Sequence, residues 1–249
     1  MAGQQAGDAG WRSLWFTPPD DDGESGRRLL TRERVVAEAL TVISAEGAQA
    51  LSMRAIAARL GVVPGALYRY VRSKEQLYDL VLDAVLTEVD GQAAPGTPWA
   101  AQVASLARRL RAALENHPGI AVLIKARDPV SPASLAVAEA FLAPLRAAGL
   151  PGRRAALAFR LVYDYTVGFA IGDPTSPAEQ RVRDTGTRQE LHAFLRSLPV
   201  SRFPTLAAYG THVWANDRDQ RFNSGLDTLL HGLQADLGCA VVPSTAVRR

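Results

Sequence analysis

The run from Ser52 to Lys74, SMRAIAARLGVVPGALYRYVRSK, constrains this chain more than any other part of it. Ser52 is a residue type that caps a helix, and Ala55, Ile56 and Leu60 recur on one helical face behind it. Gly61 permits a tight turn that Val62 and Val63 complete, and a second short helix reads from Pro64 to about Tyr70. Ala57, Leu60, Val62 and Leu67 are placed to lock the two helices together, the geometry of a helix-turn-helix. In such a motif the second helix enters the DNA major groove with its N-terminal half facing base edges. Tyr68, Arg69, Tyr70 and Arg72 carry polar tips that reach phosphates well, and Lys74 opens a further helix whose N-terminus also attracts phosphate.

The charge distribution agrees. From Arg27 to Lys74 there are nine basic and three acidic residues, a net +6, against 19 basic and 22 acidic residues, a net −3, in the remainder. A small basic unit on a mildly acidic body suits one end that meets a polyanion, although an arginine-rich solvated surface has the same composition. No stretch reaches the ~18 uninterrupted apolar residues that span a bilayer, and Met1 to Gly10 is polar and lacks the apolar core of a signal peptide, so no membrane partner and a cytoplasmic location are expected. The one cysteine, Cys239, cannot form an intrachain disulfide and reads as a small apolar side chain.

Along the chain the apolar residues recur at helical spacing throughout, with no alternating strand pattern, so the expected class is all-α. Residues 1–26 read as a flexible N-terminal extension: Pro18-Pro19 and Asp20-Asp21-Asp22-Gly23 are turn and linker chemistry, interrupted by apolar Trp11, Leu14, Trp15 and Phe16. Residues 27–74 read as the DNA-binding domain, beginning with a helix capped by Thr31 and stopped at Gly47. Ser73 caps a long fourth helix to about Val89, and the Gly, Ala and Pro of 91–98 make the clearest break. Residues 75–249 read as a larger ligand-binding and dimerisation domain. Its helices are predicted to start at Thr97-Pro98, His117-Pro118, Ser131-Pro132, Pro151, Thr187, Pro204 and Asp219, with a polar loop over 172–186.

With these features in view, the chain resembles the TetR family of transcriptional regulators. The resemblance rests on the Thr31 helix start, Gly47, Leu51-Ser52-Met53-Arg54, Ile56-Ala57, Leu60-Gly61-Val62, Leu67-Tyr68, Tyr70-Val71 and Lys74-Glu75-Leu77. It implies a three-helix N-terminal reader and a larger helical body, a homodimer, and a double-stranded operator made of an inverted repeat whose half-sites lie ~34–36 Å apart. It assigns Arg54 to a base edge, guanine by its bidentate fork. It places Val63, Pro64, Gly65 and Ala66 at the base-facing start of the second helix. These four offer no side-chain hydrogen bond, so direct readout is expected from Arg54, Arg69 and thymine-methyl contact by Val63 or Ala66. Tyr68, Tyr70 and Lys74 match phosphate-holding positions; for the tyrosines, aromatic packing between helices is the alternative. Arg27 and Arg28 are either a minor-groove arm or a solvated charge pair, with the acidic run from Asp20 to Glu24 beside them.

Farther along, His117-Pro118-Gly119 and Arg221-Phe222-Asn223-Ser224-Gly225-Leu226 also resemble the family. The resemblance implies dimerisation through Pro151–Ile171 and Asp219–Leu237, and a largely apolar small-molecule ligand, such as an antibiotic or related metabolite, that moves the fourth helix and releases DNA. Candidate ligand contacts are Trp99, Leu106, Leu110, Leu123, Phe141, Tyr163, Asp164, Phe169 and Trp214. Asp164 either bonds the ligand or pairs with Arg160 one turn earlier, and His117 is either a helix-start residue or a ligand contact. No cofactor, metal or catalytic site is expected: His117, His192, His212 and His231 lie far apart, and neither a phosphate loop nor a nucleophile elbow is present. The rival readings are a constitutive DNA-binding regulator without a ligand and an enzyme, and an activator also stays open because sequence does not fix the sign of regulation.

Overall fold

The computed structural model describes residues 30–127, 130–171, 185–213 and 218–238, and among them the regular structure is helical. The helices are α1 (Arg32–Glu46), α2 (Met53–Leu60), α3 (Pro64–Leu67), α4 (Lys74–Thr87), α5 (Trp99–Asn116), α6 (Ile120–Arg127), α7 (Pro132–Ala147), α8 (Gly152–Ile171), α9 (Thr185–Arg196), α10 (Pro204–Val213) and α11 (Arg218–Gly238), with a single 3-10 turn at Ala48–Ala50.

The expected punctuation of the N-terminal helices is present. Thr31 Oγ1 accepts the Arg34 N–H (3.2 Å), Ser52 Oγ the Ala55 N–H (3.1 Å) and Ser73 Oγ the Gln76 N–H (3.1 Å). Each satisfies one amide that a helix start leaves without a partner. Gly61 takes φ +69 at the end of α2, a left-handed backbone that favours glycine, and Val62 N–H reaches back to the Ala57 carbonyl at 3.0 Å.

Helix α3 is shorter than its sequence pattern suggests. It stops at Leu67, because Tyr70 and Val71 N–H both turn back onto the Leu67 carbonyl (2.9 and 3.0 Å) before Ser73 extends to cap α4. Further starts differ from expectation: α8, α9 and α11 begin at Gly152, Thr185 and Arg218 instead of Pro151, Thr187 and Asp219, so α9 takes the last two residues read as loop, and two other starts shift for a local reason. Pro98 is the N-cap of α5 rather than its first residue, and the Thr97 hydroxyl donates to Ala94 O (2.7 Å) to close a turn around Gly96 at φ +79. Helix α6 begins at Ile120, not at Pro118, because Gly119 at φ +87 breaks helical geometry just before it.

The described chain forms two compact units, one through Val167 and the other from Gly168 onward. In the first unit α1, α2 and α3 pack on one another around Val35, Ala39, Ile43, Ile56 and Leu67, and α5 runs along α7. Helix α4 packs on α1 and also on α5, α6 and α7. It accordingly buries Leu77, Leu80, Val81, Leu82, Val85 and Leu86, more than one narrow stripe. Each such side chain contributes about 1.5–3 kcal/mol by leaving water. In the second unit α9 packs on α10, with Leu195 against the bare backbone of Gly210. Phe222, Leu226 and Leu230 form the buried stripe of α11, and the rings of Phe169 and Phe222 meet edge to face at 5.3 Å. Arg218 donates to the Phe169 carbonyl near the C-terminus of α8, where the helix dipole favours a cation.

Candidate nucleic-acid interface

Because Ser52 holds the first turn of α2, Arg54 is fixed at its second position, and its side chain is exposed. Across the turn, Val63 is 71% exposed, Pro64 and Gly65 are exposed and Ala66 is half-buried, while Leu67 is fully buried and anchors α3. An apolar Val63 held in water beside arginines suits a contact surface better than a core. Tyr68 is 54% exposed, so its phenol faces solvent instead of filling the space between helices. Tyr70 is half-buried and its carbonyl accepts from Arg32 Nε (3.3 Å). Arg69 and Arg72 are exposed.

Arg59 and Lys74 are among the cations of this region that are engaged within the protein. Arg59 pairs with Glu38 and lies 3.5 Å from Glu46, which hold its guanidinium pKa above the ordinary value. Lys74 Nζ lies 5.4 Å from the centre of the Tyr78 ring. Arg54, Arg69 and Arg72 are exposed, as are Val63 and Tyr68. Arg27 and Arg28 lie outside the described residues.

In the first unit a cleft of about 100 Å³ is lined by Ile124 and Lys125 of α6 and by Arg160, Tyr163, Asp164 and Val167 of α8. Asp164 Oδ1 accepts from both Lys125 Nζ (3.0 Å) and Arg160 Nη2 (3.2 Å), so the pairing with Arg160 is present and Lys125 joins it. The Arg160 guanidinium also stacks over the Tyr163 ring at 5.5 Å. Of the other candidate ligand contacts, Leu106, Leu110, Leu123 and Phe141 are buried in helix packing and Trp99 is half-buried. The structure links Phe141 to Tyr163 through Phe159, with ring centres 5.8 and 5.5 Å apart. It groups Phe169 with Phe222 in the second unit, and Trp214 lies outside the described residues. Sequence reasoning missed Lys125, whose position two residues after Leu123 on a short apolar helix was the available signal. It also missed Arg111, a buried arginine on α5 that pairs with Glu115 at 2.8 Å. Burial pushes the Tyr165 phenol pKa up, and the Arg111 charge opposes the shift. His117 Nε2 meets Glu88 at 2.8 Å, joining the start of the α6 segment to the end of α4.

Residues 35–81, which carry this surface, match the family model described as bacterial regulatory proteins, tetR family, and residues 92–237 match the tetracyclin repressor-like C-terminal domain. The chain belongs to the TetR family of transcriptional regulators. Among its TetR-family relatives, an HTH-type transcriptional regulator of Saccharopolyspora erythraea is 31% identical over 91% of this chain and 93% of that protein. The transcriptional repressor DrrR1 of Streptomyces coeruleorubidus is 32% identical over 85% and 82% of the two chains. The crystal structure of the Streptomyces coelicolor TetR-family protein ActR in complex with actinorhodin superposes with a TM-score of 0.72 at 34% identity, covering 85% of this chain and all of ActR. The protein is therefore a DNA-binding transcriptional regulator and not an enzyme. No described helix is long and apolar enough to cross a membrane.

Proposed function

We propose that this regulator is a homodimeric repressor that sits on an inverted-repeat operator and leaves it when a small, largely apolar organic ligand binds the helical body. The observation that carries the DNA half is the joint exposure of Arg54, Val63, Tyr68 and Arg69 on a reader otherwise sealed by Ile56, Ala57 and Leu67. In this reading residues 27–74 are the reader and 75–249 the sensing and dimerising body. Arg54 reads a base edge, Val63 and Ala66 touch thymine methyls, and Tyr68, Tyr70 and Lys74 hold phosphates. A protein that acts on operators works where bacterial DNA is, in the cytoplasm.

Similarity to ActR, solved with actinorhodin, supports the ligand half. The cleft beside Tyr163 and Asp164 holds about 100 Å³, below the roughly 300–1,000 Å³ of drug-sized sites, so a drug-sized ligand that used this cleft would have α6 and α8 part and Asp164 exchange a cation for the ligand. The deciding experiment selects the operator from random duplexes, then titrates the complex with actinorhodin and a panel of hydrophobic antibiotics. Release at a saturable ligand concentration supports the sensor. Selective DNA binding unmoved by the whole panel supports the constitutive regulator, and no selected sequence at all removes both.

A further inference from the structure

Helix α4 carries Asp79 and Asp83, and Glu88 follows as its C-cap; each of the three meets a residue of the body. Asp79 pairs with Arg127, the last residue of α6, at 2.8 Å. Asp83 Oδ1 accepts the Ala133 N–H in the first turn of α7 at 2.8 Å. Glu88 meets His117, just before α6, at 2.8 Å. The segment from His117 to Arg127, which contains α6, is thus tied to α4 at Arg127 and to its C-cap at His117.

Arg127 does more than pair with Asp79. Its Nη2 donates to the Glu75 carbonyl (3.3 Å), and its guanidinium lies 5.7 Å from the centre of the Tyr78 ring. The Tyr78 hydroxyl in turn donates to Ala48 O at 2.7 Å, in the 3-10 turn that leads directly to Leu51 and Ser52 at the start of the reader. At the other end of α6, Gly119 lies so near α1 that an added Cβ would stand 3.5 Å from the Ile43 carbonyl oxygen. The residues that line the cleft from α6, Ile124 and Lys125, precede Arg127 by less than one turn.

We propose that Arg127 is the positioning residue through which α6 sets the orientation of the DNA-reading helices: Arg127 holds Asp79 and Tyr78 of α4, and Tyr78 holds the Ala48 turn. Any shift of the C-terminal end of α6 then either carries Tyr78 and the reader with it or breaks the Arg127 contacts and frees them. Arg127 touches no base or phosphate in this assignment. It raises operator affinity by restricting the reader to the orientation that fits the half-site, since affinity falls with the fraction of molecules in the competent state. The proposal rests on the reading that α2 and α3 bind DNA.

The test uses the full-length protein with the selected operator, comparing wild type with Arg127→Ala, Asp79→Ala, Tyr78→Phe and the exchange Arg127→Glu with Asp79→Arg. Backbone hydrogen exchange is followed in α2 and α3 and, as reference, in α5 and α7. Arg127→Ala is expected to raise exchange in α2 and α3 by about tenfold while α5 and α7 stay at the wild-type rate, and to weaken operator binding by about three- to tenfold. The slope of affinity against salt should not change, because no phosphate contact is lost. Tyr78→Phe should loosen α2 and α3 in the same way, and the exchanged pair should protect them better than either of its single substitutions alone. Equal loosening of α5 and α7 would make Arg127 an ordinary structural residue and overturn the proposal. A salt slope lowered by about one would make it a phosphate contact instead. Unchanged exchange in α2 and α3 would also overturn it. If Arg127→Ala does not fold, Arg127→Gln is read by the same criteria. Failure of the DNA reading is seen separately, as wild-type protein that selects no duplex, and leaves the exchange results to decide the mechanical role.

Discussion

Arg54 and Val63 show how much chemistry rests on single side chains at this surface. Val63, Pro64, Gly65 and Ala66 offer no side-chain donor, so in the proposed function the hydrogen bonding to bases falls to arginine. Arg54→Ala should cost about 1–3 kcal/mol of specific binding and relax the preference at one base pair per half-site, as read by repeating the operator selection with the variant. Lys74→Ala should instead weaken specific and random duplexes alike and lower the salt slope by about one unit, as read by titrations at several salt concentrations. Selectivity changed without a slope change would contradict the phosphate role. Tyr165 offers a residue-scale test of the fold. Burial raises its phenol pKa above the ordinary 10.0, so the folded state keeps a proton that the unfolded chain loses. The sign follows: this contribution is complete below about pH 10 and is lost as pH rises toward the folded pKa. Tyr165→Phe should flatten the alkaline decline of the melting temperature in thermal scans above pH 9 to 10.

At the scale of elements, the N-terminal helices were legible because their signals are local. Thr31, Ser52 and Ser73 cap by reaching three residues along their own chain, and Gly61 ends α2 by its own backbone. Helix ends set by distant or competing contacts were not legible. Thr97 has the right chemistry for an N-cap yet spends its hydroxyl on Ala94, and the last turn read into α3 is lost to the tight turn on Leu67. Helix α7 has a reciprocal cap, with Ser131 and Ser134 each accepting the other's backbone N–H (2.8 and 3.2 Å). Ser131→Ala should therefore cost about 0.5–2 kcal/mol, measured by urea unfolding, and the burial of Ser131 favours the upper part of that range.

At the scale of the whole molecule, α8 leaves Leu157 (58% exposed) and Leu161 (46% exposed) uncovered in the single chain. In the proposed dimer a second copy covers them. Leu161→Arg should then leave the helical content of the chain nearly unchanged, while sedimentation shows a monomer and operator binding is lost, because pairing would bury an unmatched charge. A dimer that persists in this variant would place the interface elsewhere. The sensor makes a further demand. Whatever ligand releases DNA must bind the DNA-bound protein more weakly by the same factor as it weakens operator binding, because coupling between two sites is reciprocal.

Sequence alone was enough for the all-helical class and the helix-turn-helix, and it named the exposed residues that the proposed function places against DNA. These follow from spacing within a short run and from residue types with specific backbone or hydrogen-bonding habits, such as Gly61, Ser52 and Arg54. Only the tertiary structure decided which charges remain exposed and which are consumed. Arg59 and Arg72 are indistinguishable as letters, yet Arg59 is paired with Glu38 across 21 residues while Arg72 stays exposed. The links from α6 through Arg127, Asp79 and Tyr78 to Ala48 were equally invisible, because their partners lie 30 and 48 residues apart. No periodicity encodes such a meeting; it exists only after α4 has packed against both the reader and the body.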